Sequence, residues 1–442
     1  MDSPGHHMTS VGGETRSEIV SLRPESQRSS ASPAVAGSDR GHGLRILMLS
    51  PQPFFRARGT PFSVLHRIRG IVAAGHHVDL LAYPFGSDVP LPELSIVRCA
   101  RPPFVNDVGI GPSLAKVGLD ISMFMSARQM LANGDYDLVH SHEEAAFFGV
   151  ALARRHGLPH IYDMHSSLPQ QLANFRAYNW GPFRSLFSRL ERYALQNSAG
   201  IITVCPDLEE IVRGTCPDTP HAMIENTADD TNIFGFDEKD VRKEWGLSGK
   251  KVIVYTGTLE AYQGIDMLIS GMAGVRAKIP DAHLLIVGGQ PRQIEQYRKL
   301  VSDVGVEKAV TFTGTRPPSD MPSFTRAADV IVSPRSRGTN TPAKVYGYLR
   351  TGRPLVATDL LTHTQVLDSS IAHLVPATAR GLREGLLKVL SDRTYADRIS
   401  AAALKLAGEQ FSDDVYLSRV GQFYEQVRQR LESRDRAAAE VV

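Results

Sequence analysis

Cysteine is scarce: Cys99, Cys205 and Cys216 are the only three in 442 residues, and no two stand at C-x-x-C spacing. That excludes a disulfide framework and a thiolate zinc ribbon, and it points to a reducing compartment. Long apolar runs are missing as well. No stretch reaches the roughly 18 residues that a membrane-crossing helix needs, and no charged-then-apolar leader opens the chain, so the expectation is a protein that spans no membrane. Neither sign of charge is in excess. The 49 Lys and Arg balance 47 Asp and Glu, a formal charge of +2, which leaves no global field for steering onto nucleic acid. A P-loop, H-E-x-x-H, G-x-S-x-G and a strand followed by G-x-G-x-x-G are all absent, which argues against P-loop nucleotide hydrolysis, zinc proteolysis and serine hydrolysis. Asp135-Tyr136-Asp137 has the D-x-D form of some metal-dependent transferases, but a solvated loop entering the next strand accounts for it, and no metal ligand is expected.

What is present begins after a tail. Residues 1–43 hold nine Ser, six Gly and three Pro with no Phe, Trp or Tyr, too little to offset the entropy of ordering, so a disordered tail is expected there. The remaining chain, at 42% hydrophobic composition overall, is long enough for two or more cores. LRILMLS at 44–50 reads as a strand buried on both faces, and Phe62, Leu65, Ile68, Ile71 and Val72 follow at helical spacing between Pro61 and Gly75. Strands then alternate with helices through YDLVHSH, PHIYDMH and AGIITVC. After the polar stretch 225–240 the rhythm restarts with KVIVYTG, HLLIVGG, AVTFTG, DVIVSP and PLVAT. The expected architecture is α/β, two doubly wound Rossmann-like domains facing across a cleft. Their bounds fall at 44–228 and 229–412, with a helix at 413–442 that packs back on the first.

Five segments now line up in order: ILMLSPQPFFRARGTPFSVL, DLVHSHEEAA, SRLERYALQNSAGIITVC, YTGTLEAYQGID and SPRSRGTNTPAKVYGYLRTGRPLVATD. In this order and spacing the chain resembles the retaining GT-B glycosyltransferases of family 4, from Leu44 to about Leu431. The resemblance implies transfer of a hexose from a nucleoside-diphosphate sugar to an acceptor hydroxyl with retention of anomeric configuration, without a metal or other cofactor. The donor would be a UDP- or GDP-hexose and the acceptor a glycan, a lipid-linked sugar or a small molecule, with no nucleic-acid partner. It makes 44–228 the acceptor domain and 229–412 the nucleotide-sugar domain, and it places Gly59 at the glycine loop facing the donor and His142 at the donor sugar; His165, ending the strand IYDMH in a similar position, is the acceptor-side candidate.

Physical chemistry supports the donor segment independently. Residues 257–264 and 334–344 each present backbone N–H groups where a helix begins, which favours anions. Between Asp329 and Asp359 lie Arg335, Arg337, Lys344, Arg350 and Arg353 with no carboxylate. Arg335 and Lys344 are the expected pyrophosphate contacts, and Gly257, Thr258, Gln263, Gly264, Arg337, Gly338, Thr339, Asn340 and Thr341 complete the expected donor site. Glu143 and Glu144 read as first-turn residues, and His363 as a neighbour of helix-capping Thr362 or Thr364.

The motif departs from the family at both ends. The family's donor segment carries two glutamates in an E-x7-E arrangement, yet no glutamate occurs between Glu307 and Glu384. Its two cations near the start of the second domain also appear here as Thr258 and Gln263. Two readings follow: an active enzyme whose cations moved to 335–344, or a non-catalytic sugar-nucleotide-binding or scaffold protein. A nucleotide-sugar epimerase is a third. The stretch 177–195, with Trp180, Phe183, Leu186, Phe187 and Leu190 among arginines, fits a core helix or a membrane-surface helix, and with it a cytoplasmic protein that touches the inner face of the membrane.

Overall fold

The computed structural model describes residues 43–56, 59–109, 113–167, 169–170, 181–227 and 235–439. Apart from Gly43, the expected tail lies outside them, as does Trp180.

Two all-parallel sheets form from the apolar runs. The first holds β1 (Arg45–Ser50), β2 (His77–Ala82), β3 (Leu94–Arg98), β4 (Leu138–His142), β5 (His160–Met164), β6 (Gly200–Thr203) and β7 (His221–Met223), in the order β3-β2-β1-β4-β5-β6-β7. The second holds β8 (Lys251–Thr256), β9 (Ala282–Val287), β10 (Val310–Gly314), β11 (Val330–Ser333), β12 (Leu355–Thr358) and β13 (His373–Val375), in the order β10-β9-β8-β11-β12-β13. β1, β4, β5, β9, β11 and β12 are buried almost throughout, as strands covered by helices on both faces must be. β3, β7 and β13 escaped the sequence reading. Two are three residues long and the third, LSIVR, is a half-exposed edge strand, so none carries a long apolar run.

Helices α1 (Gly59–Ala73), α2 (Leu114–Asn133), α3 (Ala145–Arg155), α4 (Gly181–Asn197) and α5 (Pro206–Thr215) accompany the first sheet; α6 (Ile265–Lys278), α7 (Pro291–Val304), α8 (Lys344–Leu349), α9 (Ala379–Ser391) and α10 (Arg393–Gln410) accompany the second. The last helix, α11 (Asp413–Ala439), lies against the first sheet's core. Its Tyr416, Val420, Phe423, Tyr424 and Val427 are buried with Ile46, Leu65 and Ile202. Small residues let it approach: a Cβ at Gly70 of α1 would stand 2.8 Å from Val420, and one at Gly200 would stand 2.9 Å from Phe423.

α2 is apolar on both sides. Leu119, Met123, Ala127 and Leu131 face the core, whereas Leu114, Val117, Ile121 and Met125 form an exposed stripe. Phe104, 73% exposed, packs beside that stripe over Gly118. No described helix is long and apolar enough to cross a membrane.

Candidate functional site

In each sheet the strand order reverses at the centre, between β1 and β4 and between β8 and β11, and the crevice beyond those carboxyl ends is where open parallel sheets bind ligands. The expected residues gather at these two points. Gly59 begins α1 after β1, His142 ends β4, Gly257 to Gly264 follow β8, and Arg335 to Thr341 lead from β11 into α8, whose first residue is Lys344. His165 follows the neighbouring β5.

The register pairs His142 with Asp163 and His140 with Ile161 across β4 and β5, so alternation puts His140, His142, Asp163 and His165 on one face. All four are buried. Arg67 of α1 donates from Nε to Asp163 Oδ2 at 2.7 Å, a salt bridge with both side chains almost wholly out of water. His140 Nε2 lies 3.4 Å from the same oxygen, and His140 Nδ1 meets the Tyr424 hydroxyl of α11 at 2.5 Å. His142 Nδ1 and His165 Nε2 are 2.9 Å apart, and Asp163 Oδ1 is 3.3 Å from His165 Nε2. His142 Nε2 has no hydrogen-bond partner among the described residues.

Electrostatics settles the charges. Burial pushes His142 well below the usual imidazole value and His165 down to about 4, the attraction of Asp163 being too small to offset it. Burial acts to raise Asp163, but the Arg67 guanidinium beside it holds its carboxyl well below the usual range. The cluster is therefore one ion pair surrounded by neutral imidazoles. His140, His142 and Asp163 bring candidate ligand atoms within 4.8 Å of one another. The Arg67 guanidinium already fills the cationic place on Asp163 Oδ2, so this set does not fit a resident divalent ion.

On the other side, Arg335 donates from one terminal nitrogen to Asn340 O at 2.9 Å and to Thr362 Oγ1 at 2.8 Å, while its guanidinium lies over the Tyr262 ring. Lys344 donates to Thr256 O at 3.0 Å and Gln263 Oε1 at 3.3 Å, and its ammonium stands 4.0 Å from the centre of the Tyr255 ring. Neither cation has a carboxylate partner in these contacts. Burial and the charge of Arg335 hold Lys344 well below the usual lysine value. Two covered cations without an anion make a place where an anion is stabilised.

The loops around them are tightly joined. Gly257 and Gly264 have φ of +136° and +71°, and a Cβ at Gly264 would stand 2.0 Å from the Pro334 carbonyl oxygen. Ser336 N donates to Tyr262 O at 3.0 Å, and the Tyr255 hydroxyl donates to Thr258 O at 2.6 Å. Gly338 has φ of +128°, Arg337 is exposed and Thr341 is partly buried in the same turn. Gly59 begins α1 with φ of +33° and open space where a Cβ would go.

Thr339 and Asn340 connect the two sheets' ends. Asn340 Nδ2 donates to His165 O at 2.7 Å, and Gln365 Nε2 donates to Thr339 O at 2.5 Å while its Oε1 accepts from Asp207 N at 2.9 Å. His363 differs from expectation. No side chain caps its helix; instead its buried ring meets Ser333 Oγ at 2.8 Å and Thr358 O at 2.9 Å. Glu144, at the start of α3, makes no capping bond and pairs with Lys116, while Glu143 has φ of +49° and accepts from Ser166 Oγ at 2.7 Å. Asp137 of the D-x-D triplet accepts from Arg45 N at 2.7 Å, a structural role. Sequence reasoning missed Arg67, Asp163 and Tyr424. A signal existed for Asp163, since D-x-H and H-x-H at the ends of adjoining strands put four polar groups on one face.

Comparison with known proteins agrees with this fold. Residues 57–231 match the family model described as Glycosyltransferase Family 4, and residues 250–392 match Glycosyl transferases group 1. The phosphatidyl-myo-inositol mannosyltransferase of Mycobacterium leprae is 25% identical over 387 residues, covering 87% of this chain and 97% of that protein. The GDP-mannose-dependent alpha-(1-6)-phosphatidylinositol monomannoside mannosyltransferase of Mycolicibacterium smegmatis is 31% identical over 207 residues, 44% of this chain and 53% of the relative. The solved sucrose-phosphate synthase of Thermosynechococcus elongatus superposes with a TM-score of 0.71 at 19% identity, over 88% of this chain and all of that one. With two doubly wound domains, the same order of segments and both halves matched, the chain belongs to the GT-B glycosyltransferases of family 4.

Proposed function

We propose that the chain is a retaining hexosyltransferase that uses a nucleoside-diphosphate hexose, with GDP-mannose the first donor to test, and that glycosylates a lipid-borne acceptor. The observation that carries this reading is the Arg335–Lys344 pair, two covered cations with no carboxylate partner among the described residues, at the nucleotide-side switch point. A diphosphate supplies the missing anion. In the reaction the bond from the sugar's anomeric carbon to the diphosphate oxygen breaks and a bond to the acceptor oxygen forms on the same face. The acceptor's proton passes to the leaving phosphate. Arg335, Lys344 and the N–H groups of the Gly257 loop stabilise the charge that develops on the diphosphate, without a metal ion being required. Thr339 and Asn340 take over hydroxyl recognition from the absent glutamates, and neutral His142 meets the donor sugar.

Support for a lipid acceptor comes from α2 and from the names of the relatives. Leu114, Val117, Ile121 and Met125 with Phe104 form an exposed apolar stripe whose line continues to exposed Arg128. Asp120, the one acid of α2, accepts from the Tyr83 hydroxyl at 2.5 Å. An apolar and cationic face suits an anionic bilayer surface. On this reading α2, rather than α4, makes the membrane contact.

The missing E-x7-E glutamates favour a second reading, a sugar-nucleotide binder without transferase activity. A thermal-shift panel of GDP-mannose, UDP-glucose, ADP-glucose and dTDP-glucose separates the readings. A donor at 100 times its dissociation constant adds about 2.7 kcal/mol. Binding followed by slow hydrolysis of that donor, lost in Arg335→Ala and His142→Ala, is the expected result. Binding without hydrolysis or transfer favours the second reading, and no shift with any donor overturns both.

A further inference from the structure

We propose that His165 is a positioning residue: its Nε2–H holds His142 in the tautomer protonated on Nε2, so that His142 meets the sugar nucleotide as a hydrogen-bond donor. This rests on the reading of His142 as a donor-facing group.

Two neutral imidazoles 2.9 Å apart share one proton between His142 Nδ1 and His165 Nε2, which leaves two arrangements. If His142 keeps the proton on Nδ1, its Nε2 is a bare lone pair. If His165 supplies the proton, His142 Nδ1 accepts and Nε2 carries the hydrogen.

Asp163 decides between them. Its Oδ2 already accepts from Arg67 Nε at 2.7 Å and faces His140 Nε2 at 3.4 Å. When the Tyr424 hydroxyl donates to His140 Nδ1, the His140 proton stands on Nε2, on the side of Asp163. Oδ1, by contrast, has no hydrogen-bond partner among the described residues, and its near polar neighbour is His165 Nε2 at 3.3 Å. A proton on His165 Nε2 serves both Oδ1 and His142 Nδ1. A bare nitrogen there would set a lone pair against a buried carboxylate, which is costly at low local dielectric. His165 is itself held from the other half of the molecule, because Asn340 Nδ2 donates to its carbonyl oxygen at 2.7 Å. The consequence for ligands is direct: a sugar hydroxyl or phosphate oxygen accepts from His142 Nε2–H, whereas the other tautomer would repel an anionic oxygen.

The test is the tautomer itself, read by two-bond proton–nitrogen correlation on the full chain labelled with [15N]histidine, with the His142 signals assigned through His142→Gln. The wild type is expected to carry the His142 proton on Nε2. In His165→Leu the proton moves towards Nδ1, where Asp163 Oδ2 at 3.6 Å is the remaining acceptor. In His165→Gln, whose amide can donate from a similar position, it stays on Nε2. Turnover should follow: His165→Leu loses roughly 10- to 100-fold in kcat, the size expected for one hydrogen bond to a charged group, and His165→Gln recovers most of it. A wild-type proton on Nδ1, or an unchanged tautomer in His165→Leu, overturns the proposal. Should His165→Leu fail to fold, the wild-type tautomer alone decides. The measurement needs no donor. The expected tautomers in a chain that binds no sugar nucleotide would sink the proposed function and leave this control of His142 standing; the opposite tautomer in an active chain would do the reverse.

Discussion

Gly264 shows how much one missing Cβ matters. It sits at φ of +71°, between the short turn after β8 and the first residue of α6, with the Pro334 carbonyl pressed against it. Gly264→Ala therefore meets two penalties: a left-handed conformation that costs an L-residue about 1–2 kcal/mol, and an overlap at 2.0 Å that only a shift of the 334–336 backbone can relieve. The expected outcome is a lower denaturant midpoint together with a weakened nucleotide shift, since the loops displaced are those that carry Gln263 and Arg335. An unchanged midpoint would mean that the two loops do not touch in solution. The cations here were legible in the sequence because five of them occur without an acid. Their partners were not. Tyr255, Tyr262 and Thr362 carry no motif and reach Arg335 and Lys344 only through the fold. Arg67, Asp163 and Tyr424 lie far apart in sequence, and only the alternation in H-x-H and D-x-H hinted that β4 and β5 share a polar face.

Among the elements, long buried strands were legible and short ones were not. β1, β4, β5, β8, β9 and β11 announce themselves as apolar runs, whereas β7 and β13, at three residues each, exist because a neighbouring edge offers hydrogen bonds. Helices show a comparable limit. An amphipathic stripe says that a face is covered but not by what, so the position of α11 over α1 required Gly70 and Gly200 to be seen beneath Val420 and Phe423. α2 gives the opposite case. With apolar residues on both faces it has almost no amphipathic signal, and sequence reasoning turned to α4 instead. If α2 meets a bilayer, Ile121→Asp combined with Met125→Asp should remove two groups whose full burial contributes roughly 1.5–3 kcal/mol each. Sedimentation with anionic vesicles should then weaken by at least about tenfold, while thermal stability, at two exposed positions, changes by about 0.5 kcal/mol or less at each. Equal sedimentation of variant and parent would exclude α2 as the contact.

For the whole molecule, near-neutral net charge conceals how its ionisable groups are stored. Burial holds His165, His283 and His363 down to about 4 and His160 to about 3, so the folded protein keeps them uncharged well below the value near 6.5 at which the unfolded chain protonates. Their contribution to stability is present above about pH 6.5 and is lost as the pH falls from there towards 4. Buried carboxyls act in the opposite sense, Glu225 among them. Asp120 and Glu143 are pushed up to about 7, by burial first and then by Glu144, so they bind protons on folding and their contribution fades as the pH rises from about 4 to 7. Between pH 4.5 and 6.5 the histidines held down by burial, His140 and His142 among them, outnumber the raised carboxyls, and the unfolded state binds more protons than the folded one. Each unmatched proton changes stability by about 1.4 kcal/mol per pH unit. The melting temperature should therefore fall steadily as the pH is lowered from 7 to 5. His165→Gln and His363→Gln, each without a titrating ring, should flatten that slope. A slope that stays the same in both variants would show that these imidazoles are not held neutral in the fold, and would remove the basis for treating the β4–β5 cluster as one ion pair among uncharged rings.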